Sequence, residues 1–192
     1  AYVSACCPLP VSSQTIKLWS AANGACVRTY SRHTESVACV AWLPCGRGFV
    51  SASADRSVML WGVGGEVLHT WHGARVTDLA VSADGVRLVA ASESGVRVGS
   101  IEGSFEGSSE AGGAAGGIAG GRHGGMPGGG GRLSLAIPGE PTIGEVDGIT
   151  ALCLSCDASH CLVSVPSGCI HLWHLDSRAQ LHEYRGHRSQ RL

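Results

Sequence analysis

Ser36-Val-Ala-Cys-Val-Ala-Trp42, the turn Pro44-Cys-Gly46, the run Gly48-Phe-Val-Ser-Ala52 and the run Ser57-Val-Met-Leu-Trp61 decide the fold, because the same order of pieces returns along the chain. Each run is short, rich in Val, Leu and small apolar residues, and bounded by Gly, Pro, Asp or Ser, which is the pattern of a strand and too brief for an ordinary helix. The first piece recurs as Arg75-Val-Thr-Asp-Leu-Ala-Val81 and Gly148-Ile-Thr-Ala-Leu-Cys-Leu154, and the turn as Ala83-Asp-Gly85 and Cys156-Asp-Ala158. The second strand recurs as Arg87-Leu-Val-Ala-Ala91 and Cys161-Leu-Val-Ser-Val165. The third recurs as Gly95-Val-Arg-Val98 and Gly168-Cys-Ile-His-Leu-Trp173, with an earlier copy at Gln14-Thr-Ile-Lys-Leu-Trp19.

Trp19 and Trp61 are 42 residues apart, and Val37 and Val76 are 39 apart. A period of roughly 40–45 residues with several short strands per unit marks the blade of a β-propeller. Val76 to Ile149 is 73 residues, one period plus about 33, and the excess coincides with a Gly-rich stretch. Of 29 Gly in the chain, 14 fall between Gly103 and Gly131. With few apolar side chains to bury, that stretch predicts a disordered insertion in a loop of one blade. The expected organisation is therefore blades over 1–102, the first partial, a low-complexity insertion over 103–146, and a further blade with the start of the next over 147–192. The fold class expected is all-β: an incomplete propeller of about four blades, against about seven blades and on the order of 280 residues for a closed parent.

Composition narrows the function classes. The 192 residues carry 14 Lys and Arg against 15 Asp and Glu, a formal charge of -1, whereas nucleic-acid and anionic-membrane binders rely on dense positive charge. No apolar run approaches the roughly 18 residues of a spanning helix. Ala1-Tyr-Val-Ser4 shows no basic and apolar leader pattern. Nine scattered Cys suit a reduced compartment better than a disulfide framework. The expected location is the cytoplasm, with the nucleus as a second site.

These repeats resemble the WD-repeat family. The resemblance implies a structural tetrad of a His before the first strand, a Ser or Thr on the second, an Asp in the next turn and a Trp on the third, and one blade holds all four at His33, Ser51, Asp55 and Trp61. A buried carboxylate needs donors, which a His ring N–H and backbone N–H groups supply, and the His can pass the chain through a Ser hydroxyl to an indole N–H. Ser, His and Asp together also suggest a hydrolase triad, but no strained Gly-x-Ser-x-Gly turn accompanies them, so no catalytic residue is assigned. Trp19 and Trp173 mark the same place in other blades. Val89, Glu93 and Gly99 stand at the Ser, Asp and Trp positions of the next blade, and Val163, Ser167 and Trp173 at those of the last.

Cys153-x-x-Cys156, His160, Cys161, Cys169, His171 and His174 raise a zinc reading. Strand alternation separates them and no second Cys pair or His pair at finger spacing follows, so no metal and no cofactor is expected. Arg185, His187, Arg188 and Arg191 form a short basic tail balanced by Asp176 and Glu183, which reads as a solvated terminus.

A narrower resemblance, to WD-repeat subunits of CTLH/GID-type ubiquitin ligases, rests on Glu66-Val-Leu-His-Thr-Trp-His-Gly-Ala-Arg-Val-Thr-Asp-Leu-Ala-Val81, His33-Thr-Glu-Ser-Val37 through Phe49-Val-Ser-Ala-Ser53, Gly148 through Ser155, Ile170-His-Leu-Trp173 and Glu183-Tyr-Arg-Gly-His187. It implies a non-enzymatic scaffold whose partners are ligase subunits and substrate proteins, with no nucleic acid, membrane or small-molecule substrate. The LisH and CTLH helical modules of such subunits have no counterpart here. A cullin-ligase receptor is the alternative, but its docking Arg is missing from Trp19-Ser-Ala-Ala, Trp61-Gly-Val-Gly and Trp173-His-Leu-Asp.

Overall fold

Residues 14–93, 95–101 and 148–186 are described by a computed structural model. Residues 1–13, the expected insertion over 103–146 and the tail from His187 onward lie outside the described residues. Among the described residues every regular element is a strand: β1 (Ile16–Trp19), β2 (Cys26–Tyr30), β3 (Val37–Trp42), β4 (Gly48–Ser53), β5 (Ser57–Gly62), β6 (Val67–His72), β7 (Val76–Val81), β8 (Arg87–Ser92), β9 (Gly95–Ser100), β10 (Ala151–Leu154), β11 (His160–Ser164), β12 (Cys169–His174) and β13 (Ala179–Arg185). Among the described residues they form antiparallel meanders β1-β2, β3-β4-β5-β6, β7-β8-β9 and β10-β11-β12-β13, each in chain order. This is the all-β, blade-by-blade architecture that the repeats imply.

The repeat extends to irregularities that spacing alone does not reveal. The pairing shifts by a residue just before Trp19, Trp61 and Trp173, so each such strand carries a bulge that bends it and increases its twist at the Trp. The turn after the first strand is also shared. The Leu43, Ser82 and Ser155 amides donate to the Gly48, Arg87 and His160 carbonyls, and the left-handed residue is Gly46, Gly85 or Ala158.

Strand alternation distributes each sheet between two cores. On β4, Val50 and Ala52 join Leu60, Val58 and Trp71 against Leu79, Leu88 and Ala90 of the next sheet. Phe49 and Trp61 face the other way, onto Ile16, Leu18 and Tyr30 of the first sheet. The third sheet repeats this: Leu88 and Ala90 point back, while Val89, Ala91 and Val96 point forward onto Leu152, Cys161 and Val163. All six residues of β4 are buried. A strand covered on both faces reads as a continuous apolar run, which is why Gly48–Ala52 and Arg87–Ala91 lack a polar alternation.

Polar ties cross the same interfaces. Tyr30 donates its hydroxyl to the Val63 carbonyl at 3.0 Å. Asp78 on β7 accepts the Leu152 amide at 2.7 Å, and Thr77 donates to the Ile149 carbonyl at 3.1 Å. Arg87 reaches the Ala158 carbonyl at 3.1 Å and Asp176 at 3.0 Å.

Candidate functional site

The second sheet brings His33, Ser51, Asp55 and Trp61 into one hydrogen-bonded chain. The Trp61 indole N–H donates to the Ser51 hydroxyl oxygen at 2.8 Å, and Ser51 Oγ lies 2.7 Å from His33 Nε2. His33 Nδ1 lies 3.0 Å from Asp55 Oδ2. The geometry is self-consistent for a neutral imidazole protonated on Nδ1: that N–H donates to the carboxylate, and Nε2 accepts the Ser51 O–H.

Asp55 has further donors. The Thr34 amide reaches Oδ2 at 3.0 Å, and the Ser57 amide and hydroxyl reach Oδ1 at 2.9 and 2.5 Å. Burial pushes the carboxyl up, but the Ser57 hydroxyl, the Thr34 and Ser57 amides and the His33 ring together hold it at about 2, below the ordinary 3.8. Ser57 is the member that sequence reading missed. Its signal was available in Asp55-Arg56-Ser57, since an Asp readily takes the amide and hydroxyl two residues on.

The arrangement locks strands together instead of presenting a reactive group. Ser51 is fully buried and its oxygen is engaged by both Trp61 and His33, so it faces no space that a substrate could enter. Trp61 stacks on Phe49 at 5.9 Å with a 13° interplanar angle and meets Tyr30 edge-on at 5.5 Å. The tetrad thus joins the loop before β3, β4, the β4–β5 turn and β5, and lends its aromatic face to the packing of β1 and β2.

The other marked positions differ. Trp173 keeps the bulge and packs on the core around Cys161 and Val163, but among the described residues its buried indole N–H has no hydrogen-bond partner, because Val163 occupies the Ser place. Trp19 is 37% exposed, on the side of β1 turned away from the second sheet, with Lys17 Nζ at 5.9 Å from its ring. In the third sheet the register corrects the alignment. Phe49 pairs with Trp61 and Leu88 with Gly99, so the residue in Ser51's place is Ala90, facing back, and not Val89, which points forward into the next core. The β8–β9 connection is shorter than the β4–β5 connection, so counting back from Gly99 without a gap lands on Val89, whereas matching the second strands to each other lands on Ala90.

The zinc candidates do not converge. Cys153 pairs with Leu162 and Leu154 with Cys161, which puts Cys153 and Cys161 on opposite faces of one sheet. Burial pushes the Cys161 thiol up to about 11 and that of Cys39 up to about 12, keeping both protonated near neutrality. Among the described residues no group of three His, Cys, Asp or Glu side chains is placed to hold a metal.

Residues 24–62 and 65–98 match the family described as "WD domain, G-beta repeat", so one match spans β2 to β5 and the other β6 to most of β9. The chain is 25% identical over 174 residues to GID complex subunit 7 of Schizosaccharomyces pombe, covering 86% of this chain and 28% of that protein. It is also 25% identical over 189 residues to the WD repeat-containing protein 26 homolog of Arabidopsis thaliana, covering 94% of this chain and 26% of that one. A shorter match, 42% over 48 residues, is to WD repeat-containing protein 25 of Mus musculus, covering 24% of this chain and 9% of that one. The chain therefore spans about a quarter of the length of the two relatives that match most of it.

Proposed function

We propose, from the premise that this chain is a WD-repeat protein related to subunits of the GID complex, that it is a non-enzymatic scaffold holding partner proteins in a ubiquitin ligase of GID/CTLH type. The observation that carries the reading is the similarity to GID complex subunit 7 along 86% of the chain. Two physical features support it. The blades place connecting loops at the ends of rigid, doubly packed sheets, an arrangement suited to presenting binding surfaces. The Ser, His and Asp constellation of the second sheet is buried and fully engaged, which suits a structural role. The near-neutral charge supports protein partners over nucleic acid. We place the protein in the cytoplasm, with the nucleus as a second location.

Affinity purification of the tagged chain from native cells, read by mass spectrometry, tests this. RING-type ligase subunits should be recovered at near-stoichiometric levels. Recovery of an unrelated assembly, or of chaperones alone, contradicts the ligase reading.

A further inference from the structure

We draw no further inference here: the strongest candidate, the half-open apolar face of the fourth sheet around Leu162, Leu172 and Tyr184, where Leu162 is 39% exposed while Val50 and Val89 at the matching places of the second and third sheets are fully buried, carries nothing, because nothing in the structure shows what covers it.

Discussion

Trp61→Ala should lower the free energy of unfolding by about 3–5 kcal/mol in urea denaturation, as expected for truncating a fully buried indole. Trp61 is 1% exposed and sits where two sheets share a core with Ile16, Leu18, Tyr30 and Phe49. Its loss opens a cavity, removes the donor to Ser51 and loosens the seat of β1 and β2 at once. Two controls separate these effects. Trp61→Phe keeps a stacked ring and loses mainly the N–H, so its cost should be nearer about 1 kcal/mol. Trp19→Ala, at the same repeat position but 37% exposed, should cost less than about 1 kcal/mol. Equal losses at Trp19 and Trp61 would mean that the repeat position, and not its burial, sets the energetics.

Asp55→Ala should cost about 1–3 kcal/mol at neutral pH, because it strands the Thr34 and Ser57 amides, the Ser57 hydroxyl and the His33 ring N–H. The same residue should shape the acid limb of stability. Its folded pKa of about 2 lies below the ordinary 3.8, so its contribution is complete above 3.8 and is lost as pH falls through about 2. The difference should approach on the order of 2 kcal/mol, since the side chain is only 11% exposed. Asp84 and Asp157 are also held below the usual carboxylate range by nearby hydroxyls and amides. They remain in both proteins, so the stability of the parent minus that of Asp55→Asn, measured from pH 5 to pH 2, isolates Asp55. A flat difference across that window contradicts the network's charge state.

Much of this was legible in the sequence because propeller blades repeat, and a repeat exposes itself through spacing. The strands carrying Trp19, Trp61 and Trp173 fall where that spacing puts them, since every blade must turn its chain at the same places to pack on its neighbour. The all-β class and the meander order follow from the same pattern, while the tetrad positions came from the resemblance to the WD-repeat family. Three things did not. Ser57 joins Asp55 through local turn geometry that a tetrad pattern omits. Ala90 takes Ser51's place because a shorter connection slides the register by one, and in a strand one residue exchanges the faces. Asp78 reads as a polar residue in an apolar run, yet it ties β7 to β10 by accepting the Leu152 amide, a contact between residues far apart in the chain.

The bracing of the second sheet rests on the chain Trp61–Ser51–His33–Asp55, and hydrogen exchange at the Trp61 indole N–H reaches it most directly. That proton is buried and bonded to Ser51 at 2.8 Å. It should exchange only through global unfolding, at the rate of the slowest β4 amides and with the same dependence on denaturant. Exchange at the rate of the half-open Trp19 indole, with no dependence on denaturant, would show that the tetrad is not formed and would contradict the blade as described.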